Sequence, residues 1–277
     1  MQTDDKHRSV DRILDDHQLL LHGYCGYDLV SDRLLPCRAL DRMKGAFPPD
    51  SPPKTVIVAL FPYRLNDQPG NLSRYARVPD YHISAGNLLT QAASSLSEEF
   101  KENIFISFID NSPIPEVRAA ALAGLGCIGE HGLLINPDFG SWVFIGTIVT
   151  NLWLDLPVQT IEECNHCGIC SASCPGECVG SSSREACASR ISQLKGELNP
   201  EQAVVLRKSG MVWGCDKCQE ACPQNLGVKI QPHPCFDKAF PPCLTHDSLN
   251  DLENRAYAWR GVNVLKRNLN LYSTALK

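Results

Sequence analysis

The sequence has no segment that suits export or membrane insertion. Its first eight residues alternate in charge and contain none of the apolar run of a secretory signal. The most apolar later stretch, residues 142–156, is interrupted by Asn151 and Asp155 and falls short of the roughly 20 apolar residues that span a bilayer. We therefore expect a cytoplasmic protein that has no membrane partner.

Positive charge is also scarce. The chain carries 26 Lys and Arg against 31 Asp and Glu, a formal net charge of −5. This balance predicts no broadly basic surface, so a polyanionic substrate would need a local basic patch. With 277 residues, 43% hydrophobic and 21% charged, the composition is that of a globular protein of one large or two smaller domains.

A dinucleotide-binding fingerprint is missing as well. Residues 124–129 fit the bare G-x-G-x-x-G spacing, but they follow a predicted helix, whereas the fingerprint follows a strand and opens a helix. The chain also lacks low-complexity tracts and any repeat other than a duplicated cysteine motif. We therefore do not expect a nicotinamide or flavin dinucleotide at this glycine segment.

Hydrophobic patterning predicts an α/β fold. Buried strands are predicted for the apolar, β-branched runs at residues 55–61, 104–109 and 142–149. Helical spacing of apolar residues predicts helices near the N-terminus and at residues 83–100, 115–122, 184–194 and 252–271. Strands separated by helices indicate an α/β layer.

Cysteine, in contrast, is abundant, with 14 in the chain. Disulfide scaffolds are typically short exported chains, so thiolates that bind metal fit this sequence better. The bacterial ferredoxin run C-x2-C-x2-C-x3-C-P is matched by Cys164, Cys167, Cys170, Cys174 and Pro175. In that run three thiolates bind one [4Fe–4S] cubane and the fourth reaches a neighbouring cluster. Gly168 gives the tight loop access to positive φ.

A second set of cysteines repeats only part of this motif. Its members are Cys215, Cys218 and Cys222, followed by Pro223. The missing ligand must come from elsewhere, and Cys187, between the motifs, is the preferred candidate. Its rival, Cys178, lies four residues past Cys174, where Pro175 has turned the chain away. We assign one cluster to Cys164, Cys167, Cys170 and Cys222, and the other to Cys174, Cys187, Cys215 and Cys218.

Two zinc sites are the alternative for these cysteine pairs. A zinc site requires neither the proline after each motif nor the x2-x2-x3 spacing of the cysteines, so two [4Fe–4S] clusters are the preferred hypothesis. Such clusters imply one-electron transfer. The other cysteines lack such spacing and are predicted to be small, buried apolar residues: Cys25, Cys37, Cys127, Cys235 and Cys243.

Several motifs outside the cysteine region resemble the epoxyqueuosine reductase family. They are SRYAR at 73–77, DYH at 80–82, FIDNSPIPE at 108–116, AGLGCIG at 123–129 and GSWVFIG at 140–146. The order and gaps are similar to those of the family. The cluster region agrees as well, including Cys187 and residues 213–216, so that the resemblance runs from about residue 55 to about residue 270.

The resemblance implies a corrinoid-binding, nitroreductase-like α/β domain followed by a ferredoxin-like double [4Fe–4S] domain. The implied cofactors are base-off cobalamin and two [4Fe–4S] clusters. The clusters would reduce the cobalt of the cobalamin. The implied role is that of an oxidoreductase of queuosine biosynthesis and tRNA processing, supplied by an external one-electron donor such as a flavodoxin or ferredoxin. The expected segments are an N-terminal helix and connection at 1–53, a cobalamin-binding-like domain at 54–160, the cluster domain at 161–231 and a C-terminal tail and helix at 232–277.

The resemblance also implies roles for individual residues. The family's proposed proton donor falls on Asp110, and an acid there would protonate a developing alkoxide beside the metal. Without the resemblance, Asp110 is better explained as a turn former at a strand end. The implied cofactor-binding residues are Ser73, Arg74, Tyr75, Arg77, Asp110, Leu134 and Ile145. Arginine suits corrin amide and phosphate groups because its guanidinium is a planar, multi-donor fork. His82 is a candidate cobalt ligand, but in the family the histidine of this motif is not assigned as a ligand.

Three departures from the family pattern bear on the substrate. Glu130 stands where family members carry lysine, the family's N-terminal tryptophan- and arginine-bearing segment is not recognisable in residues 24–40, and the chain stops at Lys277 before a helical-repeat domain that helps to bind tRNA. These features predict a short relative that acts on tRNA or on a smaller electrophile. The other hypothesis is a non-catalytic electron-transfer or corrinoid-reducing partner protein.

Overall fold

A computed structural model describes residues 3–275 of the chain. Its strands are β1 (His22–Gly26), β2 (Thr55–Pro62), β3 (Phe105–Ile109), β4 (Cys127–Ile128), β5 (Leu134–Ile135) and β6 (Val143–Thr150). Its helices are α1 (Thr3–Asp16), α2 (Asp28–Ser31), α3 (Arg38–Ala46), α4 (Tyr81–Glu99), α5 (Glu116–Leu122), α6 (Ile169–Ala172), α7 (Ala188–Ser192), α8 (Pro200–Ser209), α9 (Lys217–Glu220) and α10 (Val262–Ala275). Short 3₁₀ turns lie at Arg74–Arg77, Pro223–Asn225, Asp247–Asn250 and Ala258–Arg260. Among these described residues, none of the helices has both the length and the hydropathy needed to span a membrane.

The chain forms two compact units that alternate along the sequence. The described part of unit 1 consists of residues 3–62, 81–128 and 143–163, and that of unit 2 consists of residues 63–80, 129–142 and 164–275. The predicted cluster segment from residue 161 begins close to Cys164, where the longest stretch of unit 2 begins. The predicted four-segment division itself remains a prediction.

Unit 1 is built on a four-stranded antiparallel sheet in the order β1-β2-β6-β3. Every residue of β2 is buried, as is expected of a central strand covered on both faces. Helix α4 packs against β3 and β6, and α5 packs against β1, β2 and β6. Gly146 of β6 permits this packing, because a Cβ there would lie 2.3 Å from Cδ1 of Leu89 on α4.

Unit 2 has little regular structure and a small core of its own. The core is formed by buried residues from four stretches of the chain, among them Leu72, Trp213, Leu249, Tyr257 and Leu265. Helix α8 carries a complete capping box, in which Asn199 and Gln202 exchange side-chain and backbone hydrogen bonds. Gly210, at φ +66°, ends the helix in the left-handed conformation.

The predicted α/β fold is confirmed, and most predicted elements lie within two residues of their expected bounds. The C-terminal helix is an exception, because α10 begins only at Val262, after the glycine at 261. The stretch predicted as a helix at 184–194 is helical only at Ala188–Ser192. The expectation of five buried spare cysteines was wrong in part, because Cys25 is buried whereas Cys243 is exposed.

Candidate functional site

Four thiols of unit 2 line one cavity. They belong to Cys164, Cys167, Cys170 and Cys222, the set assigned from the sequence to one cluster. The cavity holds about 270 Å³ of space free of protein atoms, and Ile135 and His131 also line it. The backbone N–H of Glu130 donates to Sγ of Cys164 at 3.3 Å. The structure therefore brings together four sulfur donors and an N–H aimed at one of them, a donor set typical of an iron–sulfur cluster.

A single backbone position shapes the first cysteine loop. Gly168 adopts φ +74° and caps the N-terminus of α6, as the tight loop was predicted to require. The helix then carries Cys170 inward, where it is buried. Cys222 follows α9, which packs against α6, and it too is buried. These two short helices thus place thiols from distant parts of the chain on one cavity.

The second set of thiols is also gathered within unit 2. Burial and, to a lesser degree, the nearby thiols of Cys215, Cys187 and Cys174 raise the pKa of Cys218 to about 12. Burial raises the pKa of Cys215 to about 12 as well, and Cys187 and Cys174 again contribute. All four sulfurs assigned to the second cluster are therefore neighbours, and thiols of this kind lose their protons when they bind metal.

Two close backbone contacts hold this second set. A Cβ at Gly176 would lie 1.8 Å from the carbonyl oxygen of Ala186, so only glycine lets the loop after Cys174 approach the segment that leads to Cys187. The N–H of Gly214 donates to Oγ of Ser192 at 3.0 Å, which ties the end of α7 to the loop that carries Cys215.

Cys178, the rival ligand, is the fifth thiol of this neighbourhood. It is buried, and its Sγ lies 3.7 Å from Sγ of Cys174. Burial and the thiol of Cys174 raise the pKa of Cys178 to about 11. Cys187 also contributes to the raised pKa of Cys178, but Cys187 and not Cys178 contributes to the raised pKa values of Cys215 and Cys218.

Within the part of the chain that the structure describes, no three His, Cys, Asp or Glu side chains converge on a site for a single metal ion. The thiols of the first set instead surround the open space of their cavity.

Several residues predicted to bind a cofactor have partners inside unit 2. The hydroxyl of Ser73 donates to Oδ1 of Asp216, and the backbone N–H of Arg74 donates to Oδ2 at 2.7 Å. The Arg74 guanidinium donates to Glu220 at 2.7 Å and lies 4.9 Å from the ring centroid of Trp142. Burial raises the pKa of Asp216 although Ser73 and Arg74 act in the opposite direction.

The remaining predicted cofactor residues divide between the units. Arg77 is buried, and its guanidinium donates to the carbonyl oxygens of Leu72 and Gln68. Tyr75 lies in the same 3₁₀ turn, and Leu134 is buried in β5. Ile145 lies in β6 of unit 1 and is partly exposed. Their assignment to a cofactor remains a prediction.

Asp110 of unit 1 is paired with His82. Nε2 of His82 lies 3.1 Å from Oδ2 of Asp110, which follows β3 and adopts φ +49°. This hydrogen bond is the main cause that lowers the pKa of Asp110, against the opposing effect of burial. The His82 ring stacks on Tyr81, which in turn stacks on Phe144, both at 4.1 Å between centroids. The sequence singled out both residues of the pair but did not predict their contact.

A second carboxyl of unit 1 is perturbed in the opposite direction. Oε1 of Glu116, at the start of α5, is buried and has no hydrogen-bond partner in the described structure. Burial, together with the negative charge of Asp110, raises the pKa of Glu116 well above its ordinary value. Carboxyl groups whose pKa values are pushed apart in this way are typical of acid–base sites.

His82 also lines a groove of unit 1. The groove is lined as well by Arg38 and Arg42 of α3 and by polar residues that include Thr90, Ser107 and Asn111. About 930 Å³ of space free of protein atoms lies in it, part of which is open solvent. The two arginines place positive charge in this groove, although the chain as a whole has a net charge of −5.

Comparisons with known proteins place this architecture in a family. No protein-family model matches the chain. The chain is 30% identical to the epoxyqueuosine reductase of Lactococcus garvieae over 240 residues, which cover 78% of this chain and 67% of that relative. It is 37% identical to the epoxyqueuosine reductase of Shewanella oneidensis over 209 residues, or 72% of this chain and 51% of the relative.

Solved structures agree with this similarity. The epoxyqueuosine reductase of Streptococcus thermophilus superposes with a TM-score of 0.76 at 24% identity, covering 98% of this chain and 81% of that one. A selenomethionine-labelled epoxyqueuosine reductase superposes with a TM-score of 0.79 at 22% identity, covering 99% and 82%. At these identities the superpositions show the fold.

Fold and cysteine pattern thus define a mixed α/β protein with two sets of thiols in ferredoxin-type spacing. The sequence similarity makes the assignment specific. The chain belongs to the epoxyqueuosine reductase family.

Proposed function

We propose that this protein is a cobalamin-dependent iron–sulfur reductase that removes the epoxide oxygen of epoxyqueuosine. In this proposal unit 2 carries a ferredoxin-like pair of [4Fe–4S] clusters, and the sheet of unit 1 is the core of a corrinoid-binding, nitroreductase-like domain. The observation that carries the proposal is the cavity lined by Cys164, Cys167, Cys170 and Cys222 in a chain of this family. The fold alone would not suffice, because a fold hosts many chemistries.

The reaction sets the demand that the protein must meet. Conversion of an epoxide to an alkene and water consumes two electrons and two protons. Two [4Fe–4S] clusters, each a one-electron carrier, would together hold the electrons of one turnover. An external flavodoxin or ferredoxin would reload them, in the cytoplasm, where thiols stay reduced.

The first cluster would be held by the four thiols of the cavity, with the Glu130 N–H as a donor to Cys164. The second would be held by Cys174, Cys187, Cys215 and Cys218, which the contacts of Gly176 and Gly214 hold together. Iron fits this arrangement better than zinc, because the thiols of the first set surround a cavity rather than one point.

Cobalamin, once bound and reduced, would supply a strongly nucleophilic cobalt. In unit 2 the residues proposed to contact it are Ser73, Arg74, Tyr75 and Leu134. In unit 1 the proposed residues are Asp110 and Ile145. Arg74 fits this role because its Nε is buried and unpartnered in the described structure while its other donors hold acidic side chains. For Arg77 we propose an indirect contribution, since its bonds to Leu72 and Gln68 fix the backbone of the segment.

Asp110 and His82 would manage the proton at the reacting oxygen. Because its pKa is lowered, the Asp110 carboxyl is ionised near neutral pH, so the proton available to the site is carried by the pair rather than by Asp110 alone. A histidine positioned by a carboxylate is a common general acid. A solved epoxyqueuosine reductase of Bacillus subtilis has an aspartate catalytic loop that is swung out of its active site. We propose that the loop of Asp110 is the catalytic loop of this chain.

The proposed substrate is an epoxyqueuosine-modified tRNA. A solved epoxyqueuosine reductase holds an epoxyqueuosine-modified tRNA-Tyr stem loop. In this chain Arg38 and Arg42, on the groove that reaches His82, are suited to RNA phosphates. The groove therefore offers positive charge beside the proposed acid.

The test is a reaction of the anaerobically reconstituted protein with an epoxyqueuosine-bearing RNA stem loop and a low-potential reductant. We expect queuosine to form only when cobalamin is present. Queuosine formation without cobalamin would overturn the cofactor proposal. Failure to convert the stem loop, with both clusters and cobalamin bound, would overturn the substrate proposal. Arg42→Gln separates RNA binding from chemistry, and the exposed Lys101→Gln is its matched control. Only Arg42→Gln should raise the KM for the stem loop.

A further inference from the structure

His131 is a buried polar residue of the first thiol cavity whose hydrogen bonding is incomplete. The residue is 5% exposed, and it lines the cavity together with Cys164, Cys167, Cys170 and Cys222. Neither the cysteine motif nor the family resemblance predicted a role for this histidine. Its position beside the thiols is a product of the fold, because 33 residues separate it from Cys164.

The backbone determines which nitrogen of the ring carries the proton. Nδ1 of His131 accepts a hydrogen bond from the N–H of Leu133 at 3.2 Å. A ring nitrogen that accepts is unprotonated, so in the neutral ring the proton lies on Nε2. That Nε2 is buried and has no hydrogen-bond partner in the structure over residues 3–275. A buried donor is unfavourable unless an acceptor meets it.

The turn that contains His131 is shaped to hold the ring. The N–H of Gly132 donates to the carbonyl of Gly129 at 2.7 Å, which closes a tight turn. A Cβ at Gly129 would lie 2.4 Å from Cε1 and 2.8 Å from Nδ1 of His131, so glycine is needed for the ring to lie against the backbone. The ring is therefore held on one face by Gly129 and at one nitrogen by Leu133.

We propose that Nε2–H of His131 donates a hydrogen bond to a sulfur of the [4Fe–4S] cluster held by Cys164, Cys167, Cys170 and Cys222. The same turn already supplies the N–H of Glu130 to Sγ of Cys164. Hydrogen bonds to cluster and ligand sulfurs stabilise the added negative charge of the reduced state and raise the reduction potential. His131 thus tunes the first cluster relative to the second. This inference rests on the cluster assignment of the proposed function.

The test is a redox titration of the holoprotein followed by electron paramagnetic resonance. We expect His131→Leu to make reduction of one cluster about tenfold less favourable, which is ~59 mV for a one-electron couple. The amide nitrogen of His131→Gln reaches the position of Nε2. This variant should therefore have a reduction potential close to that of the wild type. The potential of the other cluster should not change and serves as the internal control. Unchanged potentials in both variants, with both clusters present, would overturn the inference.

A second measurement decides the question if His131→Leu fails to assemble its cluster. Pulsed resonance on the wild-type protein labelled with ¹⁵N-histidine should detect nitrogen coupled to the reduced first cluster. The coupling should vanish in His131→Gln and persist in the control His246→Gln, an exposed histidine of unit 2 outside the cysteine motifs. Absence of coupling in the wild type would overturn the inference. Absence of both clusters from the wild type would instead be a failure of the proposed function.

Discussion

Nε2 of His82 and Oδ2 of Asp110 lie 3.1 Å apart, although 28 residues separate them in the sequence. The pair joins the start of α4 to the end of β3, and His82 lines a groove that carries Arg38 and Arg42. A carboxylate in contact with an imidazole favours the protonated imidazole, so that such a pair can hold a proton near neutral pH. The contact should therefore affect both the rate of epoxide loss and the pKa of Asp110.

Asp110→Asn should lower the rate of epoxide loss by about 10² to 10⁴, the usual contribution of a positioned acid or base. The rate is measured in single turnover on protein with matched iron and cobalamin content. Asp50→Asn, at an exposed site of unit 1, is the control and should keep the wild-type rate. Wild-type turnover by Asp110→Asn would remove Asp110 from the chemistry.

His82→Ala should raise the pKa of Asp110. The hydrogen bond from His82 is the main cause of the lowered value, and burial alone would raise it. Carbon-detected titration of labelled aspartate carboxyls measures the change directly. If Asp110 titrates at the same pH in both proteins, the pair seen in the structure does not persist in solution.

Glu116→Gln should stabilise the protein, and more so at high pH. The pKa of Glu116 is raised from 4.5 in the folded state, chiefly by burial. Above pH 4.5 the unfolded state therefore binds fewer protons than the folded state, and wild-type stability falls as pH rises toward the folded pKa. Glutamine does not titrate, so the difference in Tm between variant and wild type should widen from pH 4 to pH 8.

The control for this prediction is Glu102→Gln, an exposed carboxyl in unit 1. It should show no widening with pH. A constant difference in Tm between Glu116→Gln and wild type across this range would mean that Glu116 ionises normally in the folded protein.

Gly176→Ala should impair the second cluster and spare the first. Its Cβ would meet the carbonyl oxygen of Ala186 at 1.8 Å, and the backbone that leads to Cys187 would have to move. Iron content should fall from about eight toward about four per chain. Gly45→Ala, where a Cβ meets nothing within 4 Å, is the matched control. Full iron content in Gly176→Ala would show that the contact does not position Cys187.

Cys187→Ala should lose about four irons, whereas Cys178→Ala should keep about eight. The reason is that Cys187 is a neighbour of both Cys215 and Cys218, while Cys178 is close to Cys174. Iron analysis after anaerobic reconstitution measures both variants side by side. The reverse result would make Cys178 the eighth ligand.

Long apolar runs were the part of the fold that the sequence predicted well. The central strand at 55–62 and helix α4 are dense in apolar residues at the right period, so their burial could be predicted. Strand β1 was missed because its sequence, HGYCG, has two glycines and no β-branched residue, and pairing with β2 fixes it. Helix α8 was missed although Asn199 and Gln202 form a recognisable capping signal.

The site could be predicted where its residues are close in sequence. Ferredoxin spacing indicated which cysteines act together, because in that run three thiolates bind one cluster and the fourth reaches the neighbouring cluster. The pairs made by tertiary folding carried no such signal, as His82 with Asp110 and His131 with the first thiol set demonstrate. The roles of Ser73 and Arg77 depend on buried partners that only the folded chain supplies.

Two [4Fe–4S] clusters that work together with cobalamin are the cofactors we propose for this chain. The most direct measurement is anaerobic purification followed by iron and zinc analysis and a visible spectrum after addition of cobalamin. We predict about eight irons per chain, little zinc and the spectrum of base-off cobalamin. Zinc in place of iron, or cobalamin that stays unbound and base-on in the iron-loaded protein, would contradict this proposal.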